Sequence, residues 1–229
     1  MTISNPSRRG AGSTAGSPLI NVMVRAAERA ARQLVRDFGE VEQLQVSRKG
    51  PADFVSQADL KAEKTITTEL AKARPSFGFL MEESGTKEGQ DADWRWIVDP
   101  LDGTTNFLHG LPHWAISIAA EEKGEIVAGV VLNPISNELF WAEKGKGAFL
   151  NDRRLRVSSR RTLQEAVLAT GIPFLGHGDI STFQAELTRL MPQVAGIRRY
   201  GAAALDLAFV AAGRFDGFWE SKLNAWDVA

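Results

Sequence analysis

The sequence predicts a mixed α/β fold in two halves, on three observations. Residues 18–150 hold two helical stretches and then five short apolar runs separated by turn signals. Residues 151–229 instead alternate strand-like and helix-like segments, the pattern of an α/β unit with a parallel or mixed sheet. The third is composition: 229 residues, 44% hydrophobic and 24% charged, suffice to bury a full core in one large domain or two compact halves.

Residues 1–17 carry Ser, Gly and Arg without the apolar stretch of a signal peptide, and read as a disordered leader. Their Arg and Ser also fit an organellar transit peptide, but no amphipathic helix supports that. A helix starts at Ser17-Pro18, with Ser as N-cap and Pro in the first turn. Ile20, Met23, Ala27, Ala30, Leu34 and Phe38 recur at helical spacing, and Gly39 offers a stop. A second helix runs from about Gln57 to Ala73, closed by Pro75. Strands follow over 77–81, 95–98, 114–120, 126–132 and 138–142, with 122–125 and 134–137 as hairpin connections. This half is expected to be a helix pair against an antiparallel sheet. Beyond Asn151 come a strand over 166–170, a helix near 181–191 and a strand over 196–200. A small-residue helix over 202–212 and a strand over 216–220 complete the second half.

Residues 96–107, Trp-Ile-Val-Asp-Pro-Leu-Asp-Gly-Thr-Thr-Asn-Phe, carry the most chemistry. The apolar run 96–98 reads as a buried strand that Pro100 ends, since proline cannot donate to a ladder. Asp99 and Asp102 then sit at its C-terminal end, where loops carry function. A helix beginning near Thr104 points free N–H groups at the same place. Carboxylates for a hard cation beside a helix N-terminus for a phosphate make a metal-dependent phosphoryl site. Taken alone, an Asp-x-x-Asp is more often an N-cap and a solvated turn.

Three further acidic segments accompany it. Glu82-Glu83-Ser84 follows the apolar run 77–81, and alone reads as a solvated turn. Ser56-x-x-Asp59 fits a capping box, which accounts for Asp59 without chemistry. Asp227 follows Trp226 near the C-terminus and can be another N-cap. Glu82, Asp99 and Asp102 gathered in one cleft would protonate unless a cation neutralised them. Oxygen ligands without Cys or His favour Mg²⁺ over zinc.

The segments L-M-E-E-S at 80–84, W-I-V-D-P-L-D-G-T-T-N-F at 96–107, D-F-V-S-Q-A-D at 53–59 behind Lys49-Gly50-Pro51, and A-W-D-V-A at 225–229 resemble the inositol monophosphatase-like, magnesium-dependent sugar phosphatases, in particular their bacterial branch. Residues 145–158 and 198–220 look like the family too, so the resemblance spans residues 20–229. It implies a layered α-β-α-β-α sandwich with the active site between the halves 18–150 and 151–229. It implies on the order of two or three Mg²⁺ ions per site. Glu82, Asp99 and the Leu101 carbonyl would hold the first, and Asp99, Asp102 and Asp227 the second. Thr104 and Asp59 match the pair that orients the attacking water and takes its proton. Gly103 and Thr104 N–H groups would bind phosphate oxygens. Glu220 matches the polyol-binding acid, and Gly201, Ala202 and Ala203 the loop shaping the leaving-group pocket; helix packing of small residues explains Ala202 equally well. Lys49 reads as a solvated lysine, near the metals or a loop. The family's last motif runs on beyond Trp-Asp-x-Ala. The chain stops at Ala229, so the end of the second sheet is expected to be missing and the Asp227 site weakened.

The implied activity is hydrolysis of myo-inositol monophosphate or a similar small polyol or sugar phosphate. Fructose-1,6-bisphosphatase, histidinol-phosphatase and nucleotide 3′-phosphatase activities are rivals, and a non-catalytic interaction module is the alternative of another class. Lithium sensitivity and a homodimer follow from the resemblance alone. A formal charge of −1 and a pI near 6.3 give no electrostatic case for a nucleic-acid or membrane partner. The chain has no Cys, which suits a reducing cytoplasm. No run approaches a transmembrane span. His109, His113 and His177 have no carboxylate or Ser partner placed by spacing and are read as non-catalytic.

Overall fold

The computed structural model of the chain describes residues 16–40, 46–48, 54–174 and 177–229. The leader read over residues 1–17 therefore lies outside the described residues, apart from Gly16 and Ser17. Helix α1 (Pro18–Phe38) starts as its sequence dictates: Ser17 Oγ accepts from the Ile20 N–H at 3.3 Å, with Pro18 in the first turn. Gly39 closes it in the right-handed region at φ −71°, so its stop does not use glycine's left-handed freedom. Strands β1 (Val46–Arg48) and β2 (Phe54–Ser56) pair antiparallel and lead into α2 (Gln57–Ala73).

Next come β3 (Phe77–Met81), β4 (Gly85–Lys87), β5 (Asp91–Asp102), the single-turn α3 (Thr104–Leu108), β6 (Ala115–Glu122), β7 (Glu125–Asn133), β8 (Glu138–Glu143), β9 (Gly147–Leu150) and β10 (Arg153–Arg154). These strands form one eight-stranded sheet in the order β10-β9-β8-β7-β6-β5-β3-β4. Two expectations need correction. The sheet is mixed, because β3 runs parallel to β5: β4 turns the chain back on one side of β3, and β5 returns on the other. Pro100 does not end the strand. The ladder to β6 shifts register between Asp99 and Asp102, and Pro100 sits inside that bulge, where a missing N–H costs no ladder bond. The β6–β7 hairpin turns on Lys123 (φ 53°) and Gly124 (φ 81°), the positive pair a two-residue turn demands.

The second sheet has three parallel strands, β11 (Val167–Thr170), β12 (Gly196–Arg198) and β13 (Gly217–Trp219), in the order β12-β11-β13. Helix α4 (Ile180–Leu190) connects β11 to β12, α5 (Ala203–Ala211) connects β12 to β13, and α6 (Ala225–Val228) follows. On one face of the large sheet, Ile20, Met23 and Leu34 of α1 and Ile66 and Leu70 of α2 bury against Trp96, Val98 and Ile118. On the other, Ala202 and Leu205 at the start of α5 bury against Ala115, Phe140 and Leu150. Burial of the Leu, Ile, Met, Val and Phe side chains among them contributes about 1.5–3 kcal/mol each, so these two faces define the layering. Helix α4 lies on the second sheet, with the Phe183 ring stacked 6.3 Å from Trp219. The layers are therefore α-β-α-β-α. Arg214 joins them at the edge: its guanidinium pairs with Glu138 of β8 and lies 4.4 Å over the Phe209 ring of α5. No described helix is long and apolar enough to cross a membrane.

Candidate active site

The segment Asp99 to Thr104 is held from several sides. Inside the bulge, Asp99 Oδ1 accepts from the Leu101 N–H at 2.9 Å. Gly103 then takes φ 91°, and a Cβ there would sit 3.1–3.3 Å from the His113 carbonyl, the Ala202 side chain and the Gly201 carbonyl. Only glycine satisfies both demands. The turn of α3 is anchored by Phe107, whose buried ring lies 5.5 Å from Phe38 and 5.1 Å from Trp114. It is also tied across the layers by Asn106, buried at 4% exposure, whose Nδ2 donates to the His113 and Tyr200 carbonyls at 2.7 Å each. Thr104 Oγ1 donates to the Leu101 carbonyl at 3.0 Å.

The other acids arrive from separate elements. Glu82 stands at the end of β3, its N–H bonded to the Val98 carbonyl at 3.2 Å. The turn after it is fixed by Glu63 of α2, which is buried and accepts from the Glu83 N–H at 2.8 Å and from the Ser84 hydroxyl. Asp227 is the third residue of α6, and its Oδ2 accepts from the Asn224 N–H at 2.6 Å, closing a capping box. Asp102 reaches into the second half: its two oxygens accept from the Ala203 N–H at 3.1 Å and the Ala204 N–H at 2.8 Å. Ala202, the N-cap of α5, has no capping side chain, so Asp102 caps that helix from the other sheet. Glu220, after β13, lies against Gly171, where a Cβ would come within 1.9 Å of its carboxyl.

These residues wall a cavity of about 200 Å³ at the junction of the two sheets. Of the positions singled out in the sequence, Glu82, Asp99, Leu101, Asp102, Gly103, Thr104, Gly201, Ala203, Glu220 and Asp227 line it. Asp59, buried in the first turn of α2, and Ala202, also buried, are not in its wall. Lys49 and Asp53 lie outside the described residues. Sequence reasoning passed over Arg199, Gly171, Phe174 and His177, which line it as well. His177, expected to be non-catalytic, lines the cavity although no motif marks it. His113 does have an acidic neighbour, Asp206 Oδ1 at 3.7 Å from its Nε2, an ion-pair distance longer than a hydrogen bond. That neighbour comes from another element 93 positions away, which local spacing does not reveal.

The acids disturb one another. Burial and then the charge of Glu82, with Asp102 and Asp227 behind it, hold the Asp99 carboxyl well above the usual carboxylate range. Burial pushes Asp102 up to about 7, against the pull of the Ala204 and Ala203 amides, with Asp227 and Asp206 adding to the rise. Burial likewise raises Asp227 and Glu220, and the Arg199 charge partly offsets the latter. Among the described residues, no three such side chains meet in one ready-made metal-ligating group. Their oxygens are turned toward backbone donors at Leu101, Ala203, Ala204 and Asn224. The donor set nonetheless suits a hard cation: all oxygen, crowded, and too repulsive to ionise together unaided.

An acid-walled cavity beside the N-terminus of α3, between the two sheets of a layered sandwich, is the set of features a metal-dependent phosphoryl-transfer site uses. The family model described as "Inositol monophosphatase family" matches residues 16–229. The chain is 63% identical over 215 residues to the inositol-1-monophosphatase of Rhizobium meliloti (strain 1021), covering 94% of this chain and 81% of that protein. It is 46% identical over 216 residues to the Nus factor SuhB of Pseudomonas aeruginosa (strain PAO1), covering 93% and 80%. The crystal structure of the extragenic suppressor protein SuhB from Bartonella henselae superposes with a TM-score of 0.90 at 64% identity, covering 93% of this chain and 82% of that one. The chain belongs to the inositol monophosphatase family, and it is a phosphatase.

Proposed function

We propose that this protein hydrolyses myo-inositol 1-phosphate or a similar small polyol phosphate in a Mg²⁺-dependent reaction. The observation that carries the reading is the set of five carboxylates, Glu82, Asp99, Asp102, Glu220 and Asp227, lining one cavity, with Asp99 pushed toward protonation by burial, Glu82 and Asp102, and Asp102 by burial, Asp227 and Asp206. Glu82, Asp99, Asp102, Asp227 and the Leu101 carbonyl would hold the ions. Bound there, Mg²⁺ supplies charge neutralisation and Lewis acidity toward phosphate oxygens.

The remaining chemistry belongs to the chain. The Gly103 and Thr104 amides open α3 and bind phosphate oxygens. Thr104 Oγ1 orients the attacking water, and its hydroxyl relays the proton to Asp59, which is buried outside the cavity wall. Glu220 accepts hydrogen bonds from the hydroxyls of the leaving polyol, and Gly201 with Ala203 bounds the space for its ring. The halves 18–150 and 151–229 supply the phosphate end and the alcohol end respectively. Lithium inhibition, a homodimer and a cytoplasmic setting complete the reading.

The test is phosphate release from myo-inositol 1-phosphate with Mg²⁺ titrated in, alongside fructose-1,6-bisphosphate and histidinol phosphate. Release that requires Mg²⁺ and favours the inositol ester is expected. No release at any Mg²⁺ concentration overturns the reading, and preference for another ester reassigns the substrate. A second reading rests on the relatives named Nus factor SuhB: an interaction role on the same fold. An Asp99→Asn protein that loses turnover yet still complements loss of the native gene supports it.

A further inference from the structure

Hydrolysis of an alkyl phosphate releases an alkoxide that must gain a proton, and the residues given roles so far do not supply it. In-line displacement puts the attacking water and the departing oxygen on opposite sides of phosphorus. The Thr104–Asp59 pair that takes the water's proton therefore stands on the wrong side to protonate the leaving oxygen. The carboxylates of the wall are engaged as well, Glu82, Asp99, Asp102 and Asp227 with the ions and Glu220 with the polyol hydroxyls. Six lining residues remain: Thr105, Gly171, Phe174, His177, Arg199 and Leu223. A guanidinium does not give up its proton in a protein, and an aliphatic hydroxyl is too weak an acid. The imidazole of His177 is the one group among them of a kind that serves as a general acid.

The setting of His177 suits that part. It lies in the loop between β11 and α4 and shares the cavity wall with Gly171 and Glu220, at the alcohol end of the site. Two backbone bonds pin it: the Phe174 N–H donates to the His177 carbonyl at 3.0 Å, and the His177 N–H to the Phe174 carbonyl at 2.6 Å. Its ring is stacked on that of Phe174 at 5.0 Å and 21°, which covers one face and leaves both nitrogens at the free edge. Among the described residues, neither nitrogen is tied up in a hydrogen bond or an ion pair. The side chain is also exposed, so a proton it gives up is replaced from solvent.

We infer that His177 is a catalytic residue that protonates the leaving oxygen. The water oxygen joins phosphorus as the bond from phosphorus to the ester oxygen breaks, and that bond's electron pair stays with the ester oxygen. The imidazolium N–H passes its proton to this oxygen, the alcohol leaves neutral, and the ring regains a proton from solvent. The inference rests on the proposed phosphatase reading and completes its proton balance.

The experiment compares kcat/KM in the wild-type chain, in His177→Gln and in His177→Ala at saturating Mg²⁺, with thermal unfolding in parallel. One substrate is whichever of the three alkyl esters named above the wild type turns over best; the other is 4-nitrophenyl phosphate. 4-Nitrophenolate leaves without a proton and an alkoxide does not, so the pair separates proton donation from every other role. Both variants are expected to lose at least about a hundredfold on the alkyl ester, the low end of general acid catalysis, and to stay within about threefold on the nitrophenyl ester. Tm is expected to stay unchanged, because the side chain is exposed. Glutamine offers an N–H but no proton to give up, so a wild-type rate on the alkyl ester in His177→Gln overturns the inference. Equal losses on both esters, or none on either, overturn it too and leave the phosphatase reading standing. A wild-type chain that hydrolyses no ester at any Mg²⁺ concentration sinks the phosphatase reading and the inference with it.

Discussion

Substituting Gly171 by Ala isolates the alcohol-binding end of the site. A Cβ at this position would lie 1.9 Å from the Glu220 carboxyl carbon and from one of its oxygens, and 2.3 Å from the other. The obstructed atoms are the far end of a flexible side chain, so Glu220 swings aside and the backbone stays. Gly171 does not occupy the left-handed region, and alanine there carries no backbone penalty; lost freedom of the unfolded chain adds about 0.4–1 kcal/mol of stability. Glu220 displaced from its place loses its hydrogen bonds to the polyol. A hydrogen bond to a charged group contributes about 1.5–3 kcal/mol, which converts to roughly a ten- to hundredfold fall in kcat/KM. The assay is phosphate release from myo-inositol 1-phosphate at saturating Mg²⁺, with thermal unfolding in parallel. The expected result is an unchanged or slightly raised Tm with a fall matching that of Glu220→Gln. Wild-type kcat/KM in Gly171→Ala would refute the assignment of Glu220 to the substrate.

Asp99→Asn is expected to abolish turnover, which steady-state phosphate release reads directly; a normal rate sinks the proposed ion site. Asn106→Ala removes two buried bonds to the His113 and Tyr200 carbonyls and leaves both acceptors without that donor. It should cost about 1–3 kcal/mol in denaturant unfolding and lower activity with it. Glu63→Gln weakens the hold on the Glu83 N–H and the Ser84 hydroxyl, and is expected to raise the Mg²⁺ concentration for half-maximal rate more than it changes KM. For pH, the folded metal-free chain keeps Asp102 protonated up to about 7, while the unfolded chain releases that proton near the ordinary aspartate value of 3.8. The folded state therefore binds more protons across this window, so stability in EDTA falls as pH rises from about 4 to 7. Added Mg²⁺ should flatten that fall in Tm and release protons on binding, and a pH-independent Tm in EDTA would contradict the shift.

Much of the fold was legible because its signals are local. Ser17-Pro18 sets the start of α1, the spacing from Ile20 to Leu34 sets its buried face, and Lys123-Gly124 sets a hairpin. What sequence reading missed depends on pairings between distant segments. The parallel β3–β5 pairing is a property of how the chain returns, and Pro100 is tolerated only because a bulge receives it. The strands β4, β9 and β10 are two to four residues long, too short for alternation to show. The site divides the same way. Its carboxylates stand in short motifs at element ends, whereas Gly171, Asn106 and Glu63 matter through partners up to 95 residues away.

Asp102 shows why the site and the docking of the two halves are one event. Its side chain belongs to the large sheet, yet its oxygens cap α5 of the second half at Ala203 and Ala204. Those two amides lower its pKa while burial, Asp227 and Asp206 raise it, and the opposing effects meet at about 7. Were α5 to draw back, Asp102 would lose its only neutral stabilisers among these causes, and the first turn of α5 would lose its cap. Asn106 makes the same crossing with the opposite polarity, donating from α3 to the Tyr200 and Gly201 carbonyls just ahead of α5. A cation entering beside Asp102 favours the ionised carboxylate, the better acceptor for both amides. Ion binding therefore strengthens the contact that holds the halves together, and loss of that contact should weaken ion binding by the same factor.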